Sequence, residues 1–306
     1  MPTIRLKTLR FDETRFRKLR NLSVHLSDRL TLVAGHNGIG KSTILGLSAN
    51  GSGLSEGTHK SYFNRVFVAN LNDIVHLDYE KEFEQPTQAG AALPSPELLY
   101  EVDGEPLTKR CALTVRSERR EVRVVSRNSP HAPWESTTGV HVGQDAKVPL
   151  PTIYLGMTRM LPIGESSPSA VISAPDDAFH ADDAAYIRKF INEVIGTGAG
   201  TGITTQGIKG TRKTAKHPDY PYSAKCISLG QDSLSAIATA LASFKRLKRE
   251  WPDYPGGLLV IDEIDAVLDK ALYDAAVRVL VLAAAGSSFS AGHDMKELTS
   301  RRTDAD

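Results

Sequence analysis

Alternation of apolar and polar residues near the start of the chain predicts a set of short strands. Apolar positions recur with an approximate period of two in residues 4–9 and 22–26, and a mostly apolar run follows at residues 30–34. A period of two is typical of strands that bury one face. The chain is therefore expected to open with three strands.

A different pattern extends from about residue 99 to residue 150. Short β-like runs at residues 112–115, 122–125 and 140–142 are separated by charged residues, Ser, Pro and Gly. Short runs broken by turn formers favour antiparallel strands. We expect an antiparallel β insertion here, and its residues show no obvious chemistry.

Helical periodicity marks two later segments, residues 182–195 and 233–248, each with an apolar stripe for packing. Buried strands are expected at residues 152–156 and 258–261. The glycine-rich residues 196–202 follow a helix instead of a strand, so a flexible loop is favoured over a dinucleotide fingerprint. Together the elements predict an α/β fold, a mixed sheet with helices and an antiparallel β insertion.

The residues after the third strand match the phosphate-binding pattern G-x-x-x-x-G-K-[ST] without a mismatch. They are Gly35, His36, Asn37, Gly38, Ile39, Gly40, Lys41, Ser42 and Thr43. Glycines allow successive backbone N–H groups to point at phosphate oxygens, Lys41 supplies a cation for the β and γ phosphates, and Ser42 offers a hydroxyl to Mg²⁺. A helix that follows directly adds the positive end of its dipole. The loop predicts a nucleoside triphosphate site, with ATP and Mg²⁺ as cofactors.

Two adjacent acids end the predicted strand at residues 258–261. Asp262 is expected to hold Mg²⁺ through water, and Glu263 to polarise the water that attacks the γ phosphate. An acidic strand end is common by chance, but together with the phosphate loop it indicates an ATPase.

A third motif precedes the helix at residues 233–248. Ser228, Gly230 and Gln231 resemble the ABC-type signature, in which a Ser and a Gly at a helix N-terminus meet the γ phosphate held by a second subunit. Leu229 departs from the usual glycine, at a position that also varies in SMC-like ATPases. With the phosphate loop and the paired acids, residues 1–266 resemble small AAA/ABC-type, SMC-like P-loop ATPases of bacterial defence and DNA-repair systems.

That resemblance implies an ABC/SMC-like fold and a set of roles. It implies nucleotide binding by residues 35–43, a Q-loop-like or sensor role near Arg159, a signature acting in trans at residues 228–231, and catalysis by Glu263. Because a signature helix of this kind completes another subunit's site, the partner is expected to be a second copy or another member of a heteromeric ATPase complex.

Three functions remain open from the sequence. The first is ATP hydrolysis that drives a switch in DNA metabolism or antiviral defence. The second is an ATP-binding regulatory subunit with little hydrolysis, and the third is a transporter-type nucleotide-binding domain, which the β insertion disfavours.

The last 40 residues allow two interpretations. Residues 277–282 fit the strand that follows the paired acids in the family, and His293 fits a catalytic switch histidine that senses the γ phosphate. Residues 289–297 instead resemble the oxyanion loop of enoyl-CoA hydratases (crotonases), so residues 267–306 could be a fused or frameshifted fragment. Both interpretations stay open.

Composition adds little to this picture. The chain has 306 residues, 41% hydrophobic and 24% charged, with a formal net charge of +1. Only residues 5–20 and 209–216 are locally basic, which leaves nucleic acid a possible partner. Two distant cysteines and the lack of a long apolar run lead us to expect a cytoplasmic protein without membrane insertion.

Overall fold

The computed structural model describes residues 2–196 and 200–263, and the backbone of residues 278–284. The helices are α1 (Lys41–Asn50), α2 (Gln85–Gln88, continuing a π-helical turn at Glu80–Glu84), α3 (Ala181–Ile195) and α4 (Leu229–Glu250). The strands are β1 (Ile4–Phe11), β2 (Leu22–His25), β3 (Leu30–Gly35), β4 (Glu97–Val102), β5 (Glu105–Arg116), β6 (Glu121–Asn128), β7 (Trp134–Glu135), β8 (His141–Val142), β9 (Thr152–Leu155), β10 (Val171–Pro175), β11 (Ile203–Ile208), β12 (Thr214–Pro218), β13 (Leu258–Ile261) and β14 (Arg278–Ala284). Short 3₁₀ turns lie at Leu71–Asp73, Ser117–Arg119, Met157–Met160 and Ala224–Cys226.

A parallel sheet of four strands carries the expected nucleotide-binding elements. Its order is β3, β14, β13, β9, and every neighbouring pair is parallel. Strand β13 is buried throughout, which agrees with its unbroken apolar sequence. The chain thus has the α/β fold expected from the sequence, and its parallel strands form a sheet of their own.

The second large sheet is antiparallel and has the order β2, β1, β4, β5, β6. The strands between residues 97 and 128 correspond to the predicted insertion, but they extend β1 and β2 into one sheet. Alternate residues of β4 and β6 are buried, as the period of two requires. The insertion and the N-terminal strands therefore share one core.

Helices α3 and α4 pack together in a second apolar cluster, which includes residues of β13. Buried residues of both helices, among them Ile187, Ile191, Leu241 and Phe244, form one apolar cluster with Leu259 of β13. The hairpin of β11 and β12 contacts α4 through Lys216 N, which donates to Thr239 Oγ1 at 2.9 Å. None of the helices in the described ranges combines the length and apolar content that a membrane span needs.

Lys109, on β5, is a fully buried lysine without a carboxylate partner within the described residues. Its Nζ donates to Asn128 Oδ1 and to the carbonyl of Ala146, each at 2.6 Å. Burial lowers the pKa of Lys109 to about 8. The hydrogen bonds satisfy the ammonium, but its desolvation still opposes the charged form.

We expect this lysine to make stability depend on pH in a specific direction. Its folded pKa lies below the unfolded value of about 10.4, so the unfolded chain binds more protons and stability rises with pH above about 8. Urea titrations at pH 7, 8 and 9 measure the unfolding free energies of wild type and of Lys109→Met. We expect the value for wild type minus that for the variant to rise by roughly 1 kcal/mol from pH 7 to pH 9. Parallel pH curves for the two proteins would contradict this assignment.

Candidate nucleotide site

The predicted catalytic segments meet at one edge of the parallel sheet. Residues 36–40 follow β3, Gly156 and the turn at Met157–Met160 follow β9, and Asp262 follows β13. The carboxyl ends of parallel strands face the same edge, which is where α/β proteins place their ligands. The topology therefore brings together motifs that are more than 200 residues apart in the sequence.

The phosphate loop joins β3 to α1, in the order that the pattern predicts. Gly38 and Gly40 have φ values of 77° and 106°, a left-handed conformation that favours glycine. Gly40 is the residue before α1, so the loop ends at the positive pole of that helix. Local conformation and helix position both suit a bound phosphate.

Lys41 lies within this loop and is only 6% exposed. Its Nζ donates to the carbonyls of Gly35 at 2.7 Å and His36 at 3.0 Å, and lies 3.5 Å from Asn37 Oδ1. The ammonium is thus held against the loop backbone on which phosphate groups are expected to bind.

A turn that the sequence analysis did not assign to the site packs against the same loop. Phe16 and Leu19 exchange backbone hydrogen bonds of 2.9 and 3.0 Å, and the Leu19 side chain is 3.2 Å from the position that a Cβ on Gly40 would take. Lys18 Nζ lies 3.8 Å from the corresponding Cβ position of Gly38. The loop therefore has a second ammonium beside it, and no sequence motif marks this contact.

Asp262 offers a carboxylate oxygen that fits a metal ion. The residue is 5% exposed, and its Oδ2 accepts a hydrogen bond from Tyr154 OH at 2.8 Å. Its Oδ1 is buried and has no hydrogen-bond partner within the described residues. A buried, unpaired carboxylate oxygen is costly unless a cation or water satisfies it. Carboxylate and hydroxyl oxygens are the protein ligands that Mg²⁺ prefers, so Asp262 with Ser42 would suit this ion.

Tyr154 fixes the orientation of that carboxylate. Burial and the negative charge of Asp262 raise the pKa of Tyr154 well above its usual range, so the phenol stays protonated and donates. Tyr154 reaches Asp262 because its strand, β9, pairs with β13 residue by residue. The sequence predicts both strands, but this hydrogen bond depends on their pairing in the fold.

Glu263 follows with an unusual backbone. Its φ is 50°, in the left-handed region that residues with a side chain seldom adopt, and its side chain is partly exposed. Strained conformations of this kind persist where surrounding contacts hold them, often at functional sites. Arg159 donates a hydrogen bond to the carbonyl of this residue.

Arg159 is buried and joins three elements. Its guanidinium donates to the carbonyls of Asp262, at 2.5 Å, and Glu263, and its Nε donates to Ser233 Oγ on α4 at 3.1 Å. Further bonds reach the carbonyls of Leu155 and Gly156 at 3.3 and 3.1 Å. These contacts give Arg159 an anchoring position, while the sensor role suggested by the sequence stays a prediction.

The predicted signature forms the start of α4. Ser228 Oγ accepts from Gln231 N at 3.2 Å and Gln231 Oε1 accepts from Ser228 N at 3.1 Å, a reciprocal capping box. Gln231 Nε2 also donates to Tyr222 OH at 2.7 Å. Ser228, Leu229 and Gly230 are exposed. The helix start is therefore capped by its own side chains and has exposed residues, while its role as a signature acting in trans stays a prediction.

One buried charge cluster supports this helix start. Asp232 accepts from Lys213 Nζ, and His217 Nε2 lies 3.2 Å from its other oxygen. Lys213 Nζ also donates to the carbonyl of Arg159. The β12 hairpin strand, the signature helix and the Arg159 turn are thus connected through side chains that sequence analysis assigned no role at this site.

His293 and the oxyanion-like residues 289–297 lie outside the described residues. The backbone of β14 is described, and it pairs in parallel with β3 and β13. It corresponds to the strand that the sequence placed after the paired acids.

The structure has an α/β fold with an added antiparallel sheet, in which a loop with the phosphate-binding pattern joins β3 to α1 and a capped helix begins after Ser228. No protein-family model and no curated protein matches the chain.

Two solved structures are similar along nearly the whole chain. One is the recombination mediator protein RecF with ATP in the RecFOR pathway, 13% identical over 94% of this chain and 93% of that chain, at a TM-score of 0.45. The other is RecF-ATPrS in the same pathway, 12% identical over 93% of this chain and 94% of that chain, at a TM-score of 0.47. Likeness at this level carries no inference about activity.

Proposed function

We propose that this protein binds ATP with Mg²⁺ and hydrolyses it at a site completed by a second ATPase subunit. The observation that carries this proposal is the juxtaposition, at one sheet edge, of the phosphate loop and the unpaired Asp262 oxygen. Lys41 would bind the β and γ phosphates from inside the loop, with Lys18 as an additional cation beside Gly38. Bound Mg²⁺ would neutralise charge on the phosphate oxygens.

Glu263 would act as the general base or water-positioning residue. Its carbonyl is held by Arg159, and its carboxylate belongs to a partly exposed residue at the sheet edge. A carboxylate in this place can accept a proton from an attacking water or orient it. The exposed signature residues Ser228 and Gly230 would face the γ phosphate of a partner, which makes a head-to-tail homodimer or a heteromeric complex the working assembly.

We also propose that β14 belongs to the ATPase instead of a crotonase fragment. Its backbone pairs with the phosphate-loop strand on one side and with the Asp262 strand on the other. A strand in that position is part of the sheet that carries the site, so residues 278–284 extend the ATPase beyond residue 266.

A role in DNA metabolism or defence is a second, coarser part of the proposal and rests on the resemblance of motifs. The basic stretches do not offer a continuous free surface. Lys213 and Lys216 pair with Asp232 and Asp176, and Arg5 and Arg10 pair with Asp28 and Glu97.

Replacing Lys41 by Ala tests nucleotide binding. Loss of a charge-assisted contact to phosphate should weaken ATP binding about tenfold to a hundredfold, measured by fluorescence with a labelled ATP analogue. Lys189→Ala, an exposed lysine on α3, should leave ATP affinity unchanged. Equal ATP affinity in wild type and Lys41→Ala would refute the proposed site. A separate assay of phosphate release, with and without DNA, distinguishes an ATP-hydrolysing protein from a regulatory subunit that binds ATP with little turnover.

A further inference from the structure

A cavity of about 90 Å³ lies between residues 61–74, strand β9 and the hairpin of β11 and β12. Within the described residues, its lining does not include the phosphate loop at residues 36–43. Its walls do include Tyr154 and Arg159, the two residues that hold Asp262 and Glu263. The cavity is therefore separate from the proposed ATP site but adjacent to its supports.

Positive charge predominates in the lining. The charged residues are the cations Arg65, Arg159, Arg212 and Lys213 and the carboxylates Asp73 and Asp232. Arg212 Nη2 lies 2.8 Å from Asp73, and Lys213 pairs with Asp232 inside the protein. Two carboxylates thus face four cations, which leaves an excess of positive charge around a partly enclosed space.

Arg65 carries part of this excess at the cavity mouth. Its Nη2 donates to the carbonyl of Arg212 at 2.5 Å, and within the described residues no carboxylate pairs with it. Partial burial of the guanidinium, and secondly the positive charge of Arg212, lower the pKa of Arg65. Arg65 thus lies close enough to Arg212 for the two positive charges to repel, and a bound anion would relieve that repulsion.

We propose that this cavity binds a phosphate group, with Arg65 and Arg212 as its main ligands. Guanidinium groups match phosphate oxygens in pairs, and the hydroxyl-bearing residues Thr158 and Thr214 also line the space. A volume of about 90 Å³ admits a group of several heavy atoms, since one water needs only about 10–15 Å³ by the same measure.

The burial of lysines in the basic stretch at residues 209–216 favours binding of a single phosphate group over contact with an extended nucleic-acid backbone. Lys213 and Lys216 are buried and paired, so Arg212 is the cation that this stretch contributes to the cavity mouth. The phosphate could come from a free small anion or from the 5′ end of a nucleic acid. Both sources present the same group to Arg65 and Arg212.

Binding is tested in protein that carries Lys41→Ala, so that the phosphate loop is weakened equally in every protein compared. Inorganic phosphate is titrated by calorimetry into this protein and into the same protein with Arg65→Gln and Arg212→Gln. We expect the double replacement to weaken phosphate binding at least about tenfold. Lys209→Gln, an exposed lysine at the tip of the same hairpin and outside the cavity, is the matched control and should keep the affinity within about twofold.

The source is identified with short oligonucleotides that carry either a 5′ phosphate or a 5′ hydroxyl. Tighter binding of the phosphorylated form that depends on Arg65 and Arg212 supports a nucleic-acid end, whereas arginine-dependent binding of inorganic phosphate alone supports a free anion. Equal phosphate affinity with and without the two arginines, or an equal loss in Lys209→Gln, would overturn the proposal. Because Lys41 is replaced in every protein compared, a difference between them comes from the cavity arginines and does not depend on whether the protein hydrolyses ATP.

Discussion

Glu263→Gln is expected to lower ATP turnover by about a hundredfold or more while ATP affinity stays close to that of wild type. The amide keeps the size of the side chain but cannot accept a proton from water. The main-chain contacts of residue 263 remain, since Arg159 donates to its carbonyl. Phosphate release under single-turnover conditions and labelled-ATP binding measure the two quantities separately.

The same variant tests the assembly. If Ser228 and Gly230 of one subunit contact the γ phosphate bound by another, slow hydrolysis should trap an ATP-dependent dimer, seen as a doubled mass by light scattering. Glu165→Gln, an exposed acid beyond the 3₁₀ turn after β9, should change neither turnover nor mass. If Glu263→Gln hydrolyses ATP as fast as wild type, Glu263 is not the catalytic residue. If the variant stays monomeric in the presence of ATP, the proposal that the signature acts in trans is wrong.

The parts of this site that sequence predicts are those encoded by local chemistry. The phosphate loop needs glycine where φ is positive, and Gly38 and Gly40 meet that need. The capping box at Ser228 and Gln231 also depends on residues three apart, but the sequence led us to assign these two residues only to the signature. Both features are contained in a short segment, so a sequence pattern can identify them.

Features that depend on tertiary contacts could not be predicted in this way. Tyr154 reaches Asp262 across 108 sequence positions because β9 and β13 are neighbours in register. Lys18 reaches the phosphate loop because the turn at Phe16 packs on Gly40. The basic stretch at residues 209–216 left nucleic acid open as a partner, and only the fold shows that Lys213 and Lys216 are buried with carboxylates. Spacing along the chain contains none of this information.

Arg159→Met is expected to cost about 2–4 kcal/mol of unfolding free energy, because several buried carbonyl groups lose their donor at once. Methionine fills a similar elongated volume, so lost hydrogen bonds dominate over a packing defect. Urea denaturation measures the loss. If the folded variant retains ATP binding, its kcat should fall with little change in KM, since Arg159 holds the backbone of Asp262 and Glu263 without being needed for phosphate contact.

If Arg159→Met does not fold, a milder replacement can still test whether Arg159 positions the catalytic acids. Ser233→Ala removes only the acceptor through which Arg159 Nε reaches α4, and should cost about 0.5–1.5 kcal/mol. If Arg159 links the signature helix to the catalytic acids, Ser233→Ala should reduce kcat at unchanged KM. Ser166→Ala, a partly exposed serine whose hydroxyl donates to the carbonyl of Pro162, provides the control. Loss of affinity with unchanged kcat in either variant would instead support the sensor role, in which Arg159 meets the nucleotide directly.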